Sequence, residues 1–255
     1  MRRLAGYLTD SVPASGDPDE MMTHDLEALV KACLVLASAI SFQISFTPPN
    51  GPPKSLPPRP SLRAGLTPTM QEWIIVFLVK YGLPIEIMMY YLVSLNEFLH
   101  NISLAFPSLP IQPVFPLLHA SESNGPGIPL SVLLGSSLSI ASCVFRILCY
   151  RALQGFAFEL KKSPKLATSG PYSIVRHPAY TGMLMNLIGS AMVHWWILGT
   201  GVKALGYAWL IGVGSGVTLV VMRMDGEDAL MKKSFGSEWE AWSKVVRYKL
   251  IPGVY

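Results

Sequence analysis

A guanidinium, an imidazole and a phenol come together at Arg176-His177-Pro178-Ala179-Tyr180-Thr181-Gly182, directly before an apolar run of membrane-spanning length. Beyond the next apolar run, Arg223 precedes Glu227 and Asp228, and Phe235-Gly236, Trp239, Trp242 and Pro252 follow. Residues of these types beside apolar runs describe a polar site at a membrane surface. Such a site can grip an anion, exclude bulk water and hold an electrophilic carbon in line with it. A C-terminal carboxylate suits it, because an ordinary pKa of about 3.3 to 3.7 makes that group an anion at neutral pH that needs no general base. It needs a cation, and Arg223 and Arg176 are the candidates. Arg223 and Glu227 stand four residues apart, so they project from one helical face. Taken singly, each arginine also reads as an interfacial side chain or half of an exposed ion pair; the whole constellation points to a site.

The elements that must position these residues are membrane helices. Apolar residues make up 51% of the chain and charged ones only 14%, mean hydropathy is +0.39, and soluble domains carry about 25% charge. Five apolar segments approach the roughly 20 residues that cross a bilayer core: Leu29–Phe46, Trp73–Leu95, Ile128–Tyr150, Tyr180–Leu198 and Ala204–Met222. Only Gly199-Thr200-Gly201-Val202-Lys203 separates the last two, which predicts an antiparallel hairpin. Trp195, Trp196, Tyr207 and Trp209 flank that turn as an interfacial aromatic belt would. An open sheet would leave unpaired backbone groups in lipid, so the predicted fold is an all-α, multi-pass membrane protein.

Three units are expected: a flexible N-terminal segment 1–28, membrane helices over 29–150 with a proline-rich loop at 47–69, and a catalytic region over 151–255. Lys80, Pro84 and Glu86 interrupt the second span and predict a kink or an imperfect insertion. The run Gly212-Val213-Gly214-Ser215-Gly216 sits inside an uncharged segment and reads as small-residue helix packing. His194 reads as an interfacial histidine. His24, His100 and His119 have no partner at metal-ligand spacing, and Cys33, Cys143 and Cys149 show no Cys-x-x-Cys pattern, so no metal site is expected. Met231, Phe235, Trp239, Trp242 and Val246 recur at steps of four and three, marking one face of a C-terminal amphipathic helix on the bilayer. The net charge of +4 is spread over loops, which favours an anionic membrane surface and gives a nucleic-acid partner little support.

In order and spacing, the residues from about Leu166 to Pro252 resemble the isoprenylcysteine carboxyl methyltransferase family, a branch of the membrane methyltransferases that also include phospholipid N-methyltransferases. The resemblance covers about a third of the chain. It implies S-adenosylmethionine as the methyl donor. By similarity, Pro164-Lys165-Leu166-Ala167, Tyr172 and His177-Pro178-Ala179-Tyr180 would wrap the cofactor, Glu227 would close its far side, and Arg223 would meet the substrate carboxylate. It also implies prenylated protein C-termini entering from the lipid bilayer, and the endoplasmic reticulum membrane as location. Asp228 stands where the family often has Glu, Trp239 and Trp242 where it has tyrosines, and Pro164 where it has histidine. The ending Val246-Arg247-Tyr248-Lys249-Leu250-Ile251-Pro252 is also similar to that of membrane sterol reductases, which use NADPH. Those have Arg-His-x-Asn-Tyr at the first motif, where this chain has Pro178-Ala179-Tyr180. Phospholipid N-methylation, sterol reduction and a catalytically silent membrane scaffold are therefore the alternatives to prenylcysteine carboxyl methylation.

Lysine and arginine counts orient the chain: three lie between the first two segments, none between Asn96 and Gly127, five between Arg151 and Ala179, and six from Arg223 onward. The positive-inside rule then places the C-terminus in the cytosol. Ser121 and Asn124 should be lumenal, and cysteines substituted there should resist a membrane-impermeant thiol reagent in sealed, right-side-out microsomes until the membrane is permeabilised. Labelling before permeabilisation would invert the topology.

Overall fold

The computed structural model describes residues 18–47, 68–115, 127–153, 165–195 and 203–254. Among these, the regular elements are all helical: α1 (Pro18–Phe46), α2 (Pro68–Phe77), α3 (Leu83–Ala105), α4 (Leu130–Ala152), α5 (Pro178–Val193), α6 (Lys203–Phe235) and α7 (Ser237–Val245). Four stretches, Met21–Phe46, Glu72–Ala105, Leu130–Ala152 and Gly206–Phe235, are long and apolar enough to cross a membrane. The chain is an all-α, multi-pass membrane protein. The fifth expected span, Tyr180–Leu198, forms α5, whose 16 residues rise about 24 Å at ~1.5 Å per residue, less than a bilayer core of ~30 Å.

Element boundaries differ from the periodicity-based expectation in three places. α1 begins at Pro18, so residues 18–28 of the segment expected to be flexible are helical; the rest of that segment, most of loop 47–69, and Ser121 and Asn124 lie outside the described residues. The interruption at Lys80 is a π turn, Leu78–Gly82, joining α2 to α3, and Pro84 follows directly, the wider turn accommodating a residue without an N–H inside a continuous helix. α6 continues past the apolar span to Phe235, and the chain then breaks at Gly236, whose φ of +54° a side chain would disfavour. Met231 and Phe235 therefore belong to α6 and Trp239 and Trp242 to α7, on two helices rather than the single face expected.

The helices alternate in direction, and polar contacts mark the two ends of the bundle. At one end the Gly127 N–H donates to Glu27 Oε2 at 2.8 Å, tying the start of α4 to the first part of α1. Close by, Lys31 Nζ lies 3.3 Å from Glu97 Oε1, His194 Nδ1 lies 3.1 Å from Glu97 Oε2, and Ser94 Oγ lies 3.0 Å from His194 Nε2. Lys31, Glu97 and His194 are all buried, so His194 is a member of an internal ionic cluster rather than an interfacial histidine. Charges removed from water must be paired and hydrogen-bonded to be tolerated.

Between the ends, α1, α4 and α5 meet along small and polar residues. Ser38, Ser41 and Ser45 form a stripe on α1, and Ser136, Ser139 and Ser142 form one on α4, all buried. Ser142 donates to the Gly182 carbonyl at 2.6 Å, and Asn186 Nδ2 donates to Ser45 Oγ at 3.1 Å. The closest approach is at two glycines: a Cβ on Gly189 would lie 2.5 Å from Ser139 Oγ and 2.7 Å from the Gly135 carbonyl oxygen. On the α3 side, Phe42 stacks on Tyr90 with ring centroids 4.4 Å apart. Gly212, Gly214 and Gly216, the run expected to pack helices, have no atom of the described residues within 4 Å of an added Cβ; among those residues small-residue packing occurs at Gly135 and Gly189.

This difference is measurable. Gly189→Ala must push backbone against backbone and should cost about 1–3 kcal/mol, the usual range for overpacking. Gly212→Ala should be neutral or slightly stabilising. Thermal unfolding of the two variants in detergent should separate them, and equal midpoints would contradict the close α4–α5 contact.

Candidate functional site

The N-terminus of α5 is built by proline chemistry and by α4. Pro178 occupies the first turn of α5 and is buried, following His177, whose φ of −120° and ψ of 59° end the preceding loop. Arg146 of α4 reaches across, donating from one terminal nitrogen to the Ala179 carbonyl at 2.9 Å. Gly182 is where its aliphatic stem passes: a Cβ there would meet Arg146 Cγ at 2.8 Å and Cδ at 2.9 Å.

Four of the charged residues singled out from sequence come together at this end, joined by Tyr180 and Asp228. Arg176 donates to Asp228 Oδ2 at 2.8 Å, and His177 Nε2 lies 3.0 Å from Asp228 Oδ1. The other imidazole nitrogen lies 3.6 Å from Glu227 Oε2. Tyr180 donates its hydroxyl to Glu227 Oε1 at 2.7 Å, and Arg223 Nε donates to the same oxygen at 2.6 Å. The result is a continuous chain, Arg176–Asp228–His177–Glu227, ending on both Arg223 and Tyr180. The His177 and Tyr180 rings stack with centroids 5.8 Å apart. The Arg223 side chain is 37% exposed, whereas those of Arg176 and Asp228 are 14% and 13%.

The remaining sequence candidates precede α5 in the chain. Lys165 is exposed, Leu166 buried and Ala167 half-buried in the extended lead to a 3₁₀ turn at Gly170–Ser173. Tyr172 lies in that turn, its carbonyl accepting from Trp242 Nε1 at 3.2 Å. Burial pushes its phenol above the ordinary range, Cys149 and Glu227 adding to the rise while Arg146 opposes it. The phenol therefore stays protonated and able to donate at neutral pH. Pro164 lies outside the described residues.

Three contributors were given no site role from sequence. Asp228, which follows Glu227 in the second half of the signal, binds both Arg176 and His177. The chain after α7 lies along the motif: the Arg176 and His177 N–H groups donate to the Tyr248 and Lys249 carbonyls at 2.9 and 2.8 Å, and Thr181 Oγ1 donates to the Leu250 carbonyl at 2.6 Å. Lys249 is also paired with Asp225. Arg146 is the third; an arginine inside an apolar run was the available signal.

Comparison with known proteins follows the same region. Residues 130–238 match the phospholipid methyltransferase family, a stretch that runs from α4 into α7 and is somewhat less than half of the chain. That family belongs to the membrane methyltransferases, the superfamily that includes the isoprenylcysteine enzymes; the match reaches the superfamily and not that narrower branch. Methyltransferases of this kind use S-adenosylmethionine. The chain is also similar to the Delta(14)-sterol reductase erg24 of Schizosaccharomyces pombe, 30% identical over 99 residues that make up 38% of this chain and 21% of that protein. Delta(14)-sterol reductase of Ascobolus immersus is 30% identical over 97 residues, 37% of this chain and 20% of that protein. The chain thus spans about a fifth of the length of the curated relatives it matches. No solved structure matches.

If the network holds the site together, its inner carboxylate matters more than an outer one. Asp228→Asn keeps the shape but strips the charge facing Arg176 and His177, and should destabilise by about 1–3 kcal/mol. Asp225→Asn, at an exposed pair, should cost well under about 1 kcal/mol. Thermal unfolding of both variants checks the order.

Proposed function

We propose that this protein transfers a methyl group from S-adenosylmethionine to the C-terminal carboxylate of a prenylated cysteine, at the endoplasmic reticulum membrane with its site facing the cytosol. The observation that carries the choice of nucleophile is that both site carboxylates are engaged. Glu227 accepts from Tyr180 and Arg223 and faces His177, and Asp228 meets Arg176 and His177. Neither stands free to take a proton from an ammonium substrate, whereas a carboxylate arrives ready to react.

The residues present fit the cofactor. Arg146 Nε, Arg176 Nε and Trp239 Nε1 are buried donors with no acceptor among the described residues, suited to a ligand rich in carboxylate and hydroxyl oxygens, and the stacked His177 and Tyr180 offer ring faces. When bound, S-adenosylmethionine supplies an electrophilic methyl on a sulfonium. In this reading Lys165, Leu166, Ala167, Tyr172, His177, Pro178, Ala179, Tyr180 and Glu227 hold it, with Pro164 at the start of that segment. Arg223, held by one nitrogen on Glu227 and partly exposed, keeps its terminal nitrogens for the substrate carboxylate in a bidentate, charge-assisted pair. The apolar helices let a prenyl chain stay in lipid while its polar end reaches this edge.

The match to the phospholipid methyltransferase family supports a second reading, methylation of a lipid amine, and similarity to sterol reductases supports a third, with NADPH. One assay separates them. Purified protein incubated with labelled S-adenosylmethionine, N-acetyl-farnesylcysteine and phosphatidylethanolamine should yield a base-labile methyl ester on the prenylcysteine. Label confined to phospholipid would establish the second reading, and no label but NADPH-dependent reduction of a sterol the third. In the same assay Arg223→Ala should lower kcat/KM roughly a hundredfold if the pair contributes about 3 kcal/mol, and Arg223→Lys should recover little of it.

A further inference from the structure

Arg146 stands in the C-terminal third of α4 with 7% of its surface exposed. A cation there is costly unless an anion offsets it. Its two terminal nitrogens meet neutral acceptors, the Ala179 carbonyl and the Tyr150 hydroxyl. The guanidinium carbon lies 4.8 Å from the centre of the Tyr150 ring. Among the described residues its buried Nε has no acceptor, and no carboxylate lies within ion-pair distance. The contrast with its neighbours is direct: Arg176 is neutralised by Asp228 and Arg223 by Glu227. Arg146 sits beneath the Pro178-Ala179-Tyr180 turn and near enough to Tyr172 for its charge to act on that phenol.

We infer that Arg146 is a ligand-holding residue, whose buried guanidinium receives a carboxylate brought by one of the two reactants. Both candidates carry one: the amino-acid end of the methyl donor, and the prenylcysteine acceptor. This rests on the methyltransferase reading above and extends it to a residue that no motif marked. Gly182 belongs to the same device, since only a residue without Cβ leaves room for the arginine stem to pass to the carbonyl it bonds. Tyr150 holds the planar group from below, so the fork is oriented before any ligand arrives.

A ligand-holding cation and a structural one respond oppositely to removal. Full-length wild type, Arg146→Met and Arg146→Lys are purified in detergent. Thermal unfolding is followed without ligand, with S-adenosylhomocysteine, and with N-acetyl-farnesylcysteine. Decarboxylated S-adenosylmethionine and N-acetyl-farnesylcysteine methyl ester serve as carboxylate-free counterparts. Arg146→Met should unfold at the wild-type temperature or above it when ligand-free. Its affinity for one carboxylate ligand should fall at least about tenfold, or ~1.4 kcal/mol, with the matching carboxylate-free compound bound as by wild type. The ligand that loses affinity identifies the source. Arg146→Lys should recover only part of the loss, because it keeps the charge without the fork. Wild-type affinities in Arg146→Met would overturn this inference and leave the methyltransferase reading standing. A lower ligand-free midpoint with equal losses for both members of each pair would also overturn it, making Arg146 structural. No stabilisation of wild type by any of these compounds would remove both.

Discussion

The approach of Gly135 to Gly189 is the contact on which the rest of this molecule depends. In hydrocarbon, apolar side chains gain nothing by turning from lipid to one another, so helices associate through close backbone packing and polar contacts. α5 is too short to cross a bilayer on its own, and it carries Asn186, Ser190 and two glycines along its length. The two glycines bring α5 against α4, and the serine stripes of α1 and α4 then find their partners. Once that contact is made, the first turn of α5 is fixed over Arg146, and the motif it carries is placed.

The two ends of α5 are both pinned by charge, in different ways. At His194 the cluster with Glu97, Ser94 and Lys31 gathers three helices, and at His177 the imidazole faces two carboxylates from α6. The first is closed and buried, a structural device. The second is partly open, with Arg223 and Glu227 accessible. Polar side chains that would be prohibitive singly in a membrane become tolerable when each satisfies the next.

α6 contributes in two ways. Val213 and Val217 pack against the core around Phe42 and Tyr90 while the glycines beside them meet no described atom, and further on Arg223, Glu227 and Asp228 lock onto the α5 turn. The backbone after α7 then folds back to accept hydrogen bonds from Arg176 and His177. The matched family region, from α4 into α7, contains the charged network but stops short of this returning segment. α1 and α3 lie outside it as well; α1 packs on α4 and α5, and α3 packs on α1.

The all-helical membrane class was legible in composition, because hydrocarbon leaves the backbone no alternative to internal hydrogen bonding. Four spans followed from run length alone, and the residues of the site followed from their types: cations, an imidazole and carboxylates beside apolar runs. The shortness of α5 was not legible, since hydropathy counts apolar residues and not helical turns, and the helix ends at Val193, where His194 turns to meet Glu97 and Ser94. Nor was the pairing of His177 with Asp228, the return of Tyr248 and Lys249, or the burial of Glu97 and His194. Each joins groups at least fifty residues apart, and no local periodicity encodes such distances. The glycines show the division most clearly. Gly212, Gly214 and Gly216 carry the denser small-residue signal, yet Gly135 and Gly189 make the contact, because tight packing depends on which faces meet, and only the folded bundle decides that.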